Sequence, residues 1–264
     1  MQDYRGKVVW ITGASSGIGE ALAYELAERG ATLVLSARRE TQLERVRSAC
    51  QDSGAHMILP LDLGESESFA AALASVLDRY GNIDTLINNG GISQRGTAVE
   101  TQLEVDRRIM EVNYMGTVAL TKAVLPSMLA RGSGQIVVIS SLMGKIGTPM
   151  RSAYAASKHA LQGFFDCLRA EVHDQGVNVC VVCPGYIDTE VTQNALNADG
   201  STHGKPGHRS DRSMSPAAFA KRCVDVMERR EDERMIGGRE VLAAKFGPIF
   251  PRVYNFLVRK VKST

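Results

Sequence analysis

The chain of 264 residues carries 44% hydrophobic and 23% charged residues, a balance that provides for a buried core and argues against wholesale disorder. Its net charge of +2 shows no stripe of Lys and Arg, which argues against a nucleic-acid binder. No run of 18 apolar residues is long enough to span a bilayer, and the opening MQDYRGKVVWITG holds neither a secretory signal nor an anchor; a cytoplasmic location is the default expectation.

In chain order, KVVWITG, ATLVLSA, HMILPLD, IDTLINN, QIVVISS and VNVCVVCPG are short apolar runs rich in β-branched residues, which predicts six strands. Helical periodicity separates them over 18–29, 42–53, 66–80, 103–130 and 152–175. Strands buried on both faces read as continuous apolar runs, so the expected fold class is α/β, a single-domain Rossmann-type doubly wound parallel sheet spanning 1–264. Ligands of such sheets sit beyond the carboxyl ends of the strands. Five cysteines include a CVVC at 180–183, but that pair lies inside a strand pattern, so no metal site is expected there and a reducing compartment fits the usage. His159, His203 and His208 likewise lack metal-ligand spacing.

The first strand runs into Thr12-Gly13-Ala14-Ser15-Ser16-Gly17-Ile18-Gly19, and a helical pattern follows at once. Such a turn brings backbone amides and the helix dipole close to a pyrophosphate. The second strand ends in Ala37-Arg38-Arg39. An acid here would accept from a ribose 2′-hydroxyl, whereas the guanidinium of Arg38 fits a 2′-phosphate through its planar fork; NADP(H) is the expected cofactor, with Arg39 in support or in solvent. Tyr154 and Lys158 share one helix face at i, i+4. An unperturbed phenol near pKa 10 is a poor base at neutrality, and a nearby ammonium favours its phenolate. Ser141 follows a strong strand, where its hydroxyl emerges at the functional edge.

These residues belong to a longer ordered set: TGxxxGxG, then Asp62-Leu63, Asn88-Asn89-Gly90-Gly91, Asn113, Ser141, the YxxxK of Tyr154–Lys158, and Pro184-Gly185 with Ile187 and Thr189. Over about residues 5–190 the chain resembles the classical short-chain dehydrogenase/reductase family. Gly90 stands where that family usually has Ala, which is expected to loosen the turn. The resemblance implies a catalytic tetrad of Asn113, Ser141, Tyr154 and Lys158. In it Ser141, favoured over Ser140 by the thirteen-residue interval to Tyr154, orients the substrate oxygen. Lys158 also holds the nicotinamide ribose, and Asn113 holds a helix distortion and a water leading to the lysine. It further implies cofactor contacts from Gly13, Ser15, Ser16, Gly17, Ile18, Gly19, Arg38, Asp62, Leu63, Asn89, Pro184, Gly185, Ile187 and Thr189, besides Tyr154 and Lys158, and a homodimer or homotetramer.

Beyond the sixth strand, the stretch 193–215 is rich in Gly, Ser, His and Asn without apolar periodicity; it is expected to be a mobile excursion serving as a substrate lid. PGYIDTEVTQNALNADGS is similar to the orphan branch of short-chain enzymes related to 11β-hydroxysteroid dehydrogenases, which implies a lipophilic carbonyl or alcohol. The segment 240–264 interleaves aromatics and aliphatics with Lys and Arg, an amphipathic extension that packs against its own body, against another subunit, or peripherally on a membrane. The small-molecule carbonyl/alcohol oxidoreductase leads two alternatives: a catalytically silent NADP(H)-binding regulator, and an epimerase or dehydratase without net cofactor turnover. A silent binder could dispense with Ser141, Tyr154 and Lys158, and nothing in the sequence specifically supports the second.

Overall fold

Apolar β-branched runs buried on both faces build the frame of the molecule. The computed structural model describes residues 4–205 and 213–259. Its strands are β1 (Val8–Thr12), β2 (Thr32–Ser36), β3 (Met57–Ile58), β4 (Thr85–Asn88), β5 (Gln94–Arg95), β6 (Gly134–Ile139), β7 (Val177–Pro184), β8 (Leu196–Asn197) and β9 (Glu233–Ile236). Seven form one sheet in the order β3-β2-β1-β4-β6-β7-β9, while β5 and β8 pair separately. Every pairing in the large sheet is parallel. The chain leaves β1 toward one edge through β2 and β3, then returns to the other side through β4, so a switch point opens between β1 and β4.

Alternate side chains of each strand enter two separate cores. Val8 and Trp10 of β1, Ile136 and Val138 of β6, and Cys183 of β7 pack on one face; Val9, Ile11, Val137, Ile139 and Cys180 pack on the other. The first face is covered by α3 (Phe69–Tyr80), α5 (Gly116–Arg131) and α6 (Ser152–Glu171), the second by α1 (Gly17–Glu28), α2 (Glu40–Ala49) and α7 (Pro216–Glu228). Cys180 and Cys183 therefore point to opposite sides of the sheet, which explains why the CVVC run cannot act as a chelating pair.

Three differences from the sequence expectation have physical causes. The seventh strand, β9, was not expected: its ERMI sequence places two charges in four residues, tolerable only because it pairs on one side, with β7, and Lys145 Nζ reaches Glu233 Oε2 at 2.6 Å. Read by period alone, 103–130 is one long helix; it consists of α4 (Leu103–Met110) and α5 joined by a π-helical stretch, Glu111–Met115, the distortion that the family resemblance implied at Asn113. The described part of 193–215, expected as a mobile excursion, carries bonded structure: β8 pairs with β5, Ala195 is fully buried, and His203 N and Gly204 N donate to Ala195 O and Gln193 O at 2.8 and 2.9 Å. Residues 206–212, the rest of the expected lid with His208, lie outside the described residues. After β9 follow α8 (Glu240–Phe246) and α9 (Pro251–Val258); residues 260–264 of the expected extension also lie outside the described ones.

Candidate active site

At the switch point the loops after β1, β2 and β4 meet. Gly13 and Gly17 adopt φ values of +64° and +59°, the left-handed region that glycine enters without strain. A Cβ on Gly19 would stand 2.2 Å from Gly13 O, so only glycine lets the helix start this close to the turn. Thr12 Oγ1 accepts from both Asn89 N and Gly90 N at 3.0 Å, and Asn89 Nδ2 donates to Thr12 O and Gly13 O at 3.0 and 3.2 Å. These bonds fix the spacing between the two loops across the switch point. Ser16 caps α1 without a side-chain hydrogen bond, which leaves the first-turn amides available to an anion. Gly13, Ser15, Ser16, Gly17 and Ile18 line one continuous cleft with Ala37, Arg38, Asp62 and Leu63.

Arg38 is exposed at the end of β2. Among the described residues no carboxylate is paired with it or with Arg39. Asp62 is held in place: its Oδ1 accepts from Gly64 N at 2.9 Å and its Oδ2 lies 3.5 Å from Arg108 Nη2. At Gly90 a Cβ would stand 2.6 Å from Leu63 Cδ1, the far end of a flexible side chain. Leu63 packs against the glycine there, and a small shift of that side chain would make room for an alanine. On the far side, Pro184 ends β7 and Gly185 N donates to Ile236 O at 2.8 Å. Ile187 bridges Met214, and the methyl of Thr189 lies where a Cβ on Gly17 would meet it at 3.2 Å. The loop after β7 thus crosses the glycine turn.

Further along the cleft, Ser141, Tyr154 and Lys158 converge. Ser141 lies two residues beyond β6 in extended conformation at the start of the turn Leu142–Gly144, and its Oγ accepts from Met143 N at 3.1 Å. Ser140, the competitor, is engaged elsewhere: its Oγ accepts from Gln162 Nε2 at 3.0 Å and donates to Lys158 O at 3.4 Å. Lys158 is 5% exposed; its Nζ donates to Ile139 O at 3.0 Å and sits 5.8 Å from the Tyr154 ring centroid. Asn113 is fully buried in the π-helical stretch. Its Oδ1 accepts from Ile92 N at 2.8 Å, and its Nδ2 donates to Ile92 O at 2.9 Å and Ser157 Oγ at 3.0 Å. It therefore clamps the loop after β4 to α6, one residue before Lys158.

The electrostatics differ from the simple pairing of phenol and ammonium. Burial pushes the Tyr154 phenol up, while the hydrogen bond with Ser141 and the guanidiniums of Arg151 and Arg95 pull it down. Burial also lowers Lys158 to about 8. A lysine desolvated this strongly, with its Nζ held by a backbone carbonyl, is a weaker source of positive charge than an exposed one. Several residues of the site carry no sequence signal of their own. Arg45 joins α2 to the turn through Glu20 at 2.7 Å and Ser15 O at 3.3 Å, and Glu240 Oε1 accepts from Tyr186 N at 3.1 Å and Gly238 N at 2.9 Å beneath the β7 loop. Each is a charged residue in an unremarkable polar context, and only the fold reveals its partner.

A family model described as short chain dehydrogenase matches residues 7–200. The chain is 47% identical over 262 residues to a dehydrogenase/reductase SDR family protein 7-like of Anopheles gambiae, covering 97% of this chain and 83% of that protein. Among solved structures, a short chain dehydrogenase/reductase from Burkholderia phymatum in complex with NAD shares the fold at a TM-score of 0.84 and 22% identity, over 96% of each chain. An alcohol dehydrogenase from Thermococcus sibiricus complexed with 5-hydroxy-NADP superimposes at a TM-score of 0.77 with 28% identity, over 88% of this chain and 97% of that one. With its glycine turn, its serine and its YxxxK pair gathered along one cleft, the chain belongs to the short-chain dehydrogenase/reductase family of oxidoreductases.

Proposed function

We propose that the chain is an NADP(H)-dependent oxidoreductase that interconverts a carbonyl compound and a secondary alcohol. The observation that carries this reading is the convergence of Ser141, Tyr154 and Lys158 in the cleft that begins at the glycine turn. The cleft fits a dinucleotide: glycine at positions 13, 17 and 19 keeps side chains out of the turn, α1 offers its first-turn amides, and Arg38 stands at the ribose end. Arg38 without an acid beside it favours a 2′-phosphate, and a relative 28% identical carries an NADP derivative.

The nicotinamide, when bound, supplies or accepts the hydride. For reduction, Tyr154 keeps its proton until the carbonyl oxygen takes it, and the raised phenol suits that role. Ser141 donates a hydrogen bond to the same oxygen and stabilises the negative charge that builds on it. Lys158 holds the ribose and Asn113 positions Lys158 through α6; oxidation runs the proton in reverse. Ile146, Phe246, Phe250, Val253 and Leu257 give the substrate end of the cleft an apolar wall, which supports a lipophilic substrate. The described stretch 193–205 serves as its cover, and the outward face of 240–259 serves contact with a membrane or a second copy. Among the described residues no helix is long and apolar enough to cross a membrane.

The test is calorimetric titration of NADPH and NADH into wild type, Arg38→Ala and Tyr154→Phe. NADPH should bind wild type more tightly, by about tenfold or more for a charge-assisted fork, and Arg38→Ala should remove mainly that preference. Tyr154→Phe should bind nucleotide as wild type does while losing about a hundredfold or more in turnover. A preference for NADH refutes the cofactor assignment, and full turnover by Tyr154→Phe refutes the chemistry.

A further inference from the structure

The substrate end of the cleft holds two guanidiniums that proton and hydride transfer leave unused. Arg95, on β5, donates from Nη2 to Thr192 Oγ1 at 3.1 Å, but its Nε is buried without any hydrogen-bond partner. Arg151 stands immediately before α6 and lines the same cleft. The backbone sets the two beside each other. Gly96 N donates to Met150 O at 3.2 Å, and Gln94 Oε1 accepts from Ala153 N at 2.9 Å, so β5 is laced to the start of α6 on both sides of the arginines. Met150, just before Arg151, is a non-glycine residue at φ +67°, the kind of backbone strain that persists where surrounding structure imposes it.

Among the described residues neither guanidinium has a carboxylate partner. Burial and the repulsion of Arg151 bring Arg95 down to about 10. Both arginines also act on Tyr154, which locates them at the reacting end of the cleft. A buried donor without an acceptor and two like charges in one pocket are each unfavourable until an anion enters. A carboxylate answers both, because its two oxygens match the planar fork of arginine.

We propose that Arg95 and Arg151 form a carboxylate-binding subsite beside Tyr154, so that the substrate is an oxo acid or hydroxy acid whose apolar chain runs along the wall made by α8 and α9. The proposal rests on the oxidoreductase reading for its substrate, and the arginine pair can be tested apart from that reading.

Octanoate and octanamide, equal in chain length and unlike in charge, are titrated calorimetrically into wild type, Arg95→Gln and Arg151→Gln, with and without saturating nicotinamide nucleotide. Wild type should bind octanoate about tenfold or more tightly than octanamide, and each substitution should cancel most of that preference while leaving octanamide affinity unchanged. Turnover of 2-oxooctanoate against 2-octanone should show the same preference in kcat/KM and the same loss. Equal binding of the two ligands by wild type overturns the subsite, as does a substitution that weakens both ligands alike or slows both substrates equally. If no nucleotide binds while octanoate is still preferred, the oxidoreductase reading fails and the subsite stands; if nucleotide binds and octanoate is not preferred, the subsite alone fails.

Discussion

Lys158 illustrates what a buried charge costs its surroundings. Its ammonium lies 5% exposed, and burial lowers its pKa from 10.5 to about 8. Below pH 8 both folded and unfolded chains carry the proton, and the folded state bears the full cost of a desolvated charge. Between about 8 and 10.5 the unfolded chain binds more protons, so this lysine's penalty shrinks as pH rises. Lys158→Met should therefore be inactive yet more stable than wild type at pH 7 by about 2 kcal/mol, with the gap narrowing above pH 8. Urea unfolding of the two proteins at pH 7 and 9.5 measures this, and a gap that stays constant or widens with pH refutes it. Because both proteins keep the buried thiols, whose raised pKa values lower stability at alkaline pH, the comparison cancels that opposing trend. That Ser141, Tyr154 and Lys158 line one cleft was legible in the sequence because Tyr154 and Lys158 stand i, i+4 on one helix face and the interval from Ser141 to Tyr154 is similar to that of the short-chain dehydrogenase/reductase family. Arg95 was not, since an arginine in a polar loop looks solvated until β5 and α6 are seen to close around it.

At the level of elements, apolar period revealed which segments are strands and helices but not how a helix departs from its own regularity. By hydrophobic period the stretch 103–130 reads as one helix; the distortion at Asn113 was implied by the family resemblance and not by spacing, and it is the π-helical turn Glu111–Met115. What holds the wide turn is tertiary. Asn113 satisfies both Ile92 N and Ile92 O, and a Cβ on Gly116 would stand 2.0 Å from Leu63 O, so the start of α5 is pressed against the loop after β3. Asn113→Ala takes the side-chain partner from Ile92 N and Ile92 O and leaves the Ser157 hydroxyl only its bond to Tyr154 O, at a cost of roughly 2–4 kcal/mol. A fall in the urea midpoint with unchanged slope is the expected result; a loss under about 1 kcal/mol would mean that the turn is held by packing alone. The stretch 193–205 hid its structure for the opposite reason. Its short β8 and its turns are built from polar residues, and only Ala195 is fully buried among them, so no apolar pattern announces them.

Over the whole molecule, the two-faced burial of a parallel sheet was legible because every central strand is apolar, and the edge strand β9 was missed because an edge needs no such pattern. The extension presents a different balance. Ala244 is buried and Tyr254 packs on the core beside it, with its hydroxyl bonded to Gly147 O, so the extension is fastened to its own body by one side. Leu242 and Ile249, which are not among the residues that line the cleft, nevertheless remain 56% and 65% exposed. Within 240–259, the single acid Glu240 stands against Lys245, Arg252 and Arg259. Apolar side chains interleaved with bases suit the interface of an anionic bilayer, where burial and charge act together. Flotation with vesicles containing phosphatidylserine should therefore carry the protein upward, and Ile249→Ser with Leu242→Ser should weaken that association by roughly tenfold or more, given the apolar area withdrawn. Vesicles of phosphatidylcholine alone should bind less, because the basic residues then have no counter-charge. If flotation is the same for both proteins, and the substitutions instead dissociate an oligomer in sedimentation velocity, the exposed face is a contact between copies and the membrane reading is wrong.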